Sequence, residues 1–247
     1  MKHSLQRIPP YTRSADFYDE LMADIDYKGW AEYLLVLAFK LDINTESIID
    51  FSCGTGTLLY YLSQNWSRVR GMDVSESMIQ KAKEKYPNME WITADMLTVF
   101  MPLDFSLGIN LHDSLNYILE KDVLKTYIHR MQQTCKPGQS LFFDFALPAV
   151  IDRYFIGQDE VKKMKNDDLV YRHHVYKEQE KICITYLEIT HGNEKVVEIH
   201  EQKIYDFQEI KKMFIVLPSQ DLLFLEEFTF SEANENSERL LVVIKND

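Results

Sequence analysis

Between residues 47 and 146 the chain alternates short apolar runs with longer amphipathic ones, and this alternation constrains the fold most strongly. The apolar runs predict strands at 47–51, 69–74, 89–93, 105–110 and 140–145, with helices at 57–64, 75–86 and 123–135 between them. Strands that alternate with helices of about ten to fifteen residues form βαβ crossovers, which place parallel strands in one sheet under helices on both faces. The pattern therefore predicts an α/β, doubly wound, mainly parallel sheet.

The segments on either side follow other patterns. Residues 1–46 carry apolar side chains at spacings of three and four, which predicts a helical N-terminal cap. Residues 147–205 contain three β-rich runs, which predict an inserted antiparallel meander, and the charged run at 160–165 is interpreted as a solvated face. A helix at 207–217 and two closing strands follow, so 47–146 and 206–247 are predicted to form one domain.

Composition narrows the function classes. The chain has 247 residues, a formal net charge of −12 and 46% hydrophobic residues, as in a globular protein with one large domain. The acidic balance argues against nucleic acid as a partner, because phosphate neutralisation needs clustered Lys and Arg. The three cysteines lack CxxC spacing, which indicates neither a disulfide framework nor a metal site. With no apolar leader and no membrane-length apolar run, a cytoplasmic protein is predicted, and its oligomeric state stays open.

The sharpest local motif is the turn DFSCGTGT at 50–57, which follows a predicted strand and opens a helix. Small residues in such a turn let the backbone approach a ligand at the helix N-terminus. A dinucleotide fingerprint would need a third glycine at the position of Leu59, and this bulky residue weakens a nicotinamide interpretation.

The segment IIDFSCGTGTLLYYL resembles the first motif of class I S-adenosylmethionine (SAM) dependent methyltransferases, with Ser52 in place of its first glycine. Asp73 matches the acidic residue that holds the ribose hydroxyls in that family, and Asp95-Met96 matches the pair beside the adenine. FSLGINLHDSLNYI and CKPGQSLFFDF match the later motifs, while the stretch from Asp16 to Leu34 resembles bacterial small-molecule methyltransferases.

The resemblance implies a seven-stranded sheet with an antiparallel last strand, SAM as cofactor, and methyl transfer to a small molecule with release of S-adenosylhomocysteine. It implies that segment 1–46 covers the cofactor and that segment 147–205 is a lid over the acceptor. The cofactor-binding residues that it implies are Tyr11, Tyr18, Asp50, Ser52, Cys53, Gly54, Gly56, Asp73, Val74, Met78, Asp95, Met96 and Leu111. The predicted substrate-binding residues are Asn116, Tyr117, Arg172 and Tyr205.

Methyl transfer is an in-line displacement that needs alignment, exclusion of water and, for a protonated nucleophile, a route for its proton. His112 and His200 are the predicted base residues, because an unperturbed imidazole titrates near neutrality. Two alternatives remain open at this point: an RNA methyltransferase and a non-catalytic protein that binds SAM.

Overall fold

A computed structural model describes residues 5–99 and 104–246 of the chain. The strands, in chain order, are β1 (Gln6–Ile8), β2 (Ser47–Asp50), β3 (Arg68–Asp73), β4 (Glu90–Thr93), β5 (Leu107–Asn110), β6 (Ser140–Ala146), β7 (Glu160–Lys163), β8 (Leu169–Lys177), β9 (Ile182–His191), β10 (Glu194–Lys203), β11 (Gln220–Glu226) and β12 (Arg239–Asn246). The α-helices are α1 (Tyr18–Leu21), α2 (Tyr27–Lys40), α3 (Thr57–Leu62), α4 (Glu76–Lys85), α5 (Lys121–Thr134), α6 (Ile151–Tyr154) and α7 (Phe207–Lys211).

The central sheet has seven strands in the order β11-β12-β6-β5-β2-β3-β4. Strands β2 to β6 pair in parallel with one another, whereas β12 is antiparallel to both β6 and β11. Strand order reverses between β2 and β5, so the carboxyl ends of these strands flank the crevice where ligands of open α/β sheets bind. The predicted fold class and the antiparallel last strand are confirmed.

Helices cover both faces of this sheet, so every residue of β2, β5 and β6 is buried. In α4 the side chains of Met78, Ile79 and Ala82 are buried, as the helical spacing predicted. The Ser75 hydroxyl accepts a hydrogen bond from the Met78 N–H at 3.3 Å and caps this helix. The cap fixes where α4 begins, directly after the end of β3.

A second sheet of five strands, β1-β10-β9-β8-β7, contains the predicted antiparallel meander β8-β9-β10. Its two outer strands correct the sequence analysis. Residues 6–8 are not helical but pair in parallel with β10. The charged run that begins at Glu160 forms β7, because pairing with β8 at the edge of the sheet satisfies its backbone hydrogen bonds. Its charged side chains also have partners: Lys162 donates to the Glu20 carbonyl, and Glu160 forms an ion pair with Arg172.

The helix predicted at 207–217 is shorter than expected and ends at Lys211. Its start is a capping box between Asp206 and Glu209. Beyond it, the Gln132 side-chain amide donates to the Ile215 carbonyl at 2.9 Å and accepts from the Ile215 N–H at 3.1 Å. A side chain therefore replaces the backbone partners that a longer helix would have supplied.

Among residues 5–99 and 104–246, no helix is both long and apolar enough to span a membrane. The same residues contain no group of three His, Cys, Asp or Glu side chains arranged to hold a metal ion. Cys53, Cys135 and Cys183 are free thiols.

Candidate active site

The glycine-rich turn joins β2 to α3 at the carboxyl edge of the central sheet. Gly54 and Gly56 have φ values of +53° and +79°, which favour glycine. A Cβ on Gly56 would lie 2.3 Å from the Trp91 ring, whereas one on Gly54 would meet no atom within 4 Å. The turn therefore packs tightly on one side and leaves its Gly54 side open to a ligand.

Ser52, in place of the family's first glycine, connects the ends of two strands. Its hydroxyl donates to the Ser114 hydroxyl at 2.9 Å and accepts from the Asn110 amide at 3.2 Å. These contacts join the turn after β2 to the loop after β5. A serine is accommodated here because its hydroxyl has partners.

Asp73, at the end of β3, lies against the same turn. Its two carboxylate oxygens accept hydrogen bonds from the Gly54 and Ser75 N–H groups, each at 2.9 Å. Burial raises the pKa of Asp73, and these backbone hydrogen bonds oppose that shift. A carboxylate has about four lone-pair sites, so accepting capacity remains for a ribose hydroxyl. The donor and acceptor chemistry fits the cofactor that the motif implies.

The Asp95-Met96 segment follows β4 and is held by a residue that the sequence analysis missed. Asp95 accepts from the Leu97 N–H at 2.8 Å, and Arg130 donates to the carbonyls of Leu97 and Met96. Arg130 lies on α5, and nothing local in the sequence connects it to this loop. The position of this segment at the sheet edge thus depends on a long-range contact.

Asp50 is buried at the end of β2, and burial raises the pKa of its carboxyl to about 8. The Ser52 N–H donates to it at 2.9 Å, which partly offsets that shift. The carboxyl of Asp50 is therefore mostly protonated at neutral pH in the protein without ligand. Asp50 holds the turn through the hydrogen bond that it accepts from the Ser52 N–H.

This raised pKa gives a stability prediction for Asp50→Asn. The native state holds a proton that the unfolded chain releases above its ordinary pKa, so this stabilisation is lost as the pH rises toward about 8. Asparagine keeps the acceptor oxygen and has no proton to lose. Between pH 6 and 7.5 the unfolding free energy of the wild type should fall by about 2 kcal/mol more than that of the variant. One bound proton changes this free energy by about 1.4 kcal/mol per pH unit. Urea unfolding at several pH values measures this, with exposed Asp24→Asn as the control; parallel curves for all three proteins would contradict it.

A cavity of about 440 Å³ lies between the carboxyl edge of the central sheet and the inner face of the second sheet. Six residues from the sequence analysis line it: Tyr11, Tyr18, His112, Tyr117, Arg172 and His200. Other lining groups come from distant segments and were missed, among them Trp30, Asp113, His174, Phe228 and Arg239. A smaller cavity of about 40 Å³ lies beside it and is lined by the turn residues from Asp50 to Thr55, together with Leu111 and His112.

His112 follows β5 and projects between the two cavities. Its ring stacks on Trp30 with a centroid distance of 4.3 Å and an interplanar angle of 12°. Burial lowers the pKa of His112 to about 4, and its Nε2 has no hydrogen-bond partner among the described residues. A neutral imidazole with one free nitrogen can orient a ligand, but it is a weak proton acceptor at neutral pH.

The backbone that presents His112 is held by Asp144. His112 and Asp113 have positive φ values of 58° and 59°, a conformation that is unfavourable for both residues. Their N–H groups both donate to the Asp144 carboxylate, each at 3.0 Å. Asp144 in turn pairs with Arg239, which also contacts Asp113 and Glu227. The sequence contained one signal for this network, because Asp144 is the one charged residue in the otherwise apolar run SLFFDFA.

Tyr11, Tyr117, His200 and Glu198 form a chain of contacts along one wall of the large cavity. The Tyr11 and Tyr117 hydroxyl oxygens are 2.5 Å apart, and the Tyr117 hydroxyl is 3.1 Å from His200 Nδ1. His200 Nε2 is 3.3 Å from Glu198 Oε2. Tyr11 comes from the N-terminal segment, Tyr117 from the loop after β5, and the other two residues from β10. The wall therefore combines three parts of the chain.

Glu198 has no solvent-exposed surface and was missed in the sequence analysis. Its carboxylate accepts hydrogen bonds from the N–H groups of Tyr11, Arg13 and Ser14 at 2.6–3.0 Å, and from the Ser14 hydroxyl at 2.6 Å. Burial raises the pKa of Glu198, but the hydrogen bonds from His200 and Ser14 outweigh burial and hold it below its usual range. The carboxylate is thus charged and fixes the N-terminal segment on β10.

Several other predicted site residues lie outside the large cavity. Asn116 is buried and its amide bonds to Ala146 and the Lys203 carbonyl. Val74 is 69% exposed, whereas Met78 and Leu111 are buried. Cys53 borders the small cavity.

Tyr205, predicted to bind substrate, is packed in the core. Its hydroxyl donates to the carbonyls of Ile118 at 2.7 Å and Leu119 at 3.2 Å. Tyr205→Phe should lower the unfolding free energy by about 1–2 kcal/mol, since two buried carbonyls lose a donor, and leave SAM affinity unchanged. Urea unfolding and calorimetry measure the two effects, with exposed Tyr60→Phe as the control. A change in acceptor KM without a loss of stability would instead return Tyr205 to the acceptor site.

Comparison with known proteins gives the same assignment as the site geometry. Residues 48–138 match a family model described as a methyltransferase domain. The chain is 25% identical over 246 residues to a protein from Geobacillus sp. (strain WCH70) whose name assigns it to the methyltransferases, covering 95% of this chain and 99% of that one. It is 25% identical over 126 residues to the dTDP-3-amino-3,4,6-trideoxy-alpha-D-glucopyranose N,N-dimethyltransferase of Streptomyces venezuelae, covering 50% and 53% of the two chains.

The fold is similar to that of a SAM-dependent methyltransferase from Clostridium acetobutylicum, with a TM-score of 0.78, 22% identity, and coverage of 96% of this chain and 98% of the other. In this chain the seven-stranded sheet carries the glycine-rich turn and the carboxylates at the ends of its strands. Residues 48–138 are therefore a methyltransferase domain in an enzyme of that class, and the fold is shared with methyltransferases that use SAM as their cofactor.

Proposed function

We propose that the protein transfers the methyl group of SAM to a small-molecule acceptor bound in the large cavity. The observation that carries this proposal is the cavity of about 440 Å³ beside the glycine-rich turn, because its size is typical of sites that enclose a small ligand. Aromatic side chains and a few polar groups line it, which suits an acceptor that is oriented by directed contacts. The net charge of −12 counts against a nucleic-acid acceptor.

The Streptomyces venezuelae relative supports the same class of acceptor, since its name gives an amino sugar nucleotide as what it methylates. We assign segment 147–205 to covering the acceptor and segment 1–46 to covering the cofactor. The second sheet forms one wall of the cavity, and Tyr11 and Tyr18 of the N-terminal segment also line it. Both segments would exclude water from the reacting atoms.

When bound, SAM supplies a methyl group activated on a sulfonium. Asp73 and the turn around Gly54 would hold its ribose, and Asp95 with Met96 its adenine. His200 is assigned as the proton acceptor because it lines the cavity, with Nδ1 3.1 Å from the Tyr117 hydroxyl and Nε2 3.3 Å from the Glu198 carboxylate. His112 and Arg172 are assigned to orienting the acceptor, since both line the cavity and His112 is neutral at neutral pH.

Labelled SAM tests this proposal. The protein is incubated with methyl-labelled SAM and, separately, with a low-molecular-weight metabolite extract, an RNA fraction and a protein fraction. Label should enter the first fraction, with release of S-adenosylhomocysteine. Label in RNA or protein alone would overturn the small-molecule assignment, and binding of SAM without label transfer would favour a non-catalytic protein.

A further inference from the structure

We infer that Tyr11, Tyr117, His200 and Glu198 form a directed proton relay that receives the proton of an acceptor N–H or O–H group during methyl transfer. The inference rests on the proposed function, because it assigns a chemical class to the acceptor in the large cavity. All four residues are joined by contacts of 2.5–3.3 Å, and three of them line that cavity.

The direction of the relay is set at Glu198. A charged carboxylate can only accept hydrogen bonds, so His200 must place its proton on Nε2 to donate to it. In the neutral imidazole this leaves Nδ1 as an acceptor, and the Tyr117 hydroxyl is the donor within reach at 3.1 Å. Glu198 therefore selects the histidine tautomer that can accept a proton from Tyr117.

The hydroxyls of Tyr117 and Tyr11 are oriented in the same direction, from the cavity toward His200. With its proton directed to His200, Tyr117 accepts the hydrogen bond of Tyr11 at 2.5 Å. The Tyr11 oxygen then retains lone pairs and no free proton. A ligand group beside it must donate, which an N–H or O–H group does and a thioether or tertiary amine does not.

Both tyrosines stay protonated in this site. Burial raises the pKa of Tyr11 and of Tyr117 above the ordinary value, so neither hydroxyl is a standing phenolate. Each tyrosine oxygen takes up one proton and gives up the proton that it already carries. His200 is the group in the chain that gains a proton on Nδ1, while its Nε2–H keeps the hydrogen bond to the Glu198 carboxylate 3.3 Å away.

The acceptor nitrogen or oxygen forms a bond to the methyl carbon with its lone pair, and the pair of the carbon–sulfur bond remains on sulfur. The acceptor's own N–H or O–H bond breaks, and its proton goes to the Tyr11 oxygen. Tyr11 gives its proton to Tyr117, and Tyr117 gives its proton to His200 Nδ1. Loss of the Nδ1 proton to water and rotation of both hydroxyl groups then restore the starting arrangement.

The backbone around the relay keeps it assembled. Tyr11 has a φ of +60°, which is unfavourable for a tyrosine, and its N–H is held by Glu198 at 3.0 Å. On the other side of His200, the next strand presents Thr185, whose hydroxyl is 2.8 Å from His174 Nδ1. Glu198 binds both His200 and the N-terminal segment. The same carboxylate therefore orients the base and holds the segment that covers the site.

Two variants test the relay, with the metabolite extract and 13C-methyl SAM as probes. Tyr117→Phe removes the central hydroxyl and keeps the Glu198 contacts to the N-terminal segment. Glu198→Gln removes the charge, so that His200 is no longer held in one tautomer. Each should lower the rate at saturating SAM by about 10²–10⁴-fold, the range for a lost acid–base group. Tyr117→Phe, which keeps the N-terminal segment in place, should also leave the KM for SAM within about threefold. Tyr60→Phe and the buried Tyr205→Phe are the matched controls.

The double variant should be no more than about threefold slower than the slower single variant, because residues of one chain act as a unit. The 13C shift of the product should be that of an N-methyl or O-methyl group. Full activity of Tyr117→Phe, independent losses that multiply, or an S-methyl or C-methyl product would each overturn the relay and leave the small-molecule assignment intact. Methylation of RNA or protein alone by the wild type would overturn both.

Discussion

Replacing Arg239 with methionine should lower the free energy of unfolding by about 3–5 kcal/mol, the range for breaking a buried ion pair on one side. The guanidinium lies 2.6 Å from Asp113 and 2.5 Å from Asp144, and also contacts Glu227. Burial alone would raise the pKa of Asp144 and of Glu227, and Arg239 opposes both shifts. Methionine fills similar space but leaves three carboxylates without a counter-charge.

Urea unfolding measures this change, and Arg153→Met is the matched control. Arg153 pairs with Glu238 at 2.8 Å, but its side chain is 63% exposed, so solvent screens this pair and only a small loss is expected. The deficit of Arg239→Met should shrink at lower pH, because protonation neutralises the carboxylates that it leaves unpaired. Equal losses for the two arginine variants would show that the network around Arg239 contributes no more than a surface pair.

Asp73→Ala should weaken SAM binding by about 1.5–3 kcal/mol, roughly 10- to 150-fold, the range for hydrogen bonds to a charged group. Alanine removes the acceptor for the ribose hydroxyls and also the partner of the Gly54 and Ser75 N–H groups. Calorimetry with SAM measures the affinity, and circular dichroism checks that the variant is folded. Asp122→Ala, on the exposed first turn of α5, is the control. Unchanged affinity in a folded Asp73→Ala protein would limit Asp73 to holding the turn.

The sequence by itself determined the central sheet, the turn at 50–57 and the carboxylates that follow β3 and β4. These features are local: hydrophobic periodicity covers one element at a time, Asp50 and Asp73 each end a strand, and Asp95 lies two residues after one. Because parallel strands bring their carboxyl ends to one edge, position in the chain was enough to gather these residues. The extent of α7 was not determined in this way, since Gln132, a residue distant in sequence, supplies the hydrogen bonds at Ile215.

Only the tertiary structure decided the acceptor side of the site. Glu198 contacts residues 184 to 187 positions away, and Arg239 reaches Asp144 across 95 positions, so no local pattern reveals either network. His112 and His200 were equivalent candidates in the sequence. Their surroundings separate them: stacking on Trp30 and burial make His112 neutral, whereas His200 lies 3.1 Å from the Tyr117 hydroxyl and 3.3 Å from the Glu198 carboxylate. The desolvation and the nearby charge that set a histidine's behaviour come from residues far apart in the chain, and only folding brings them together.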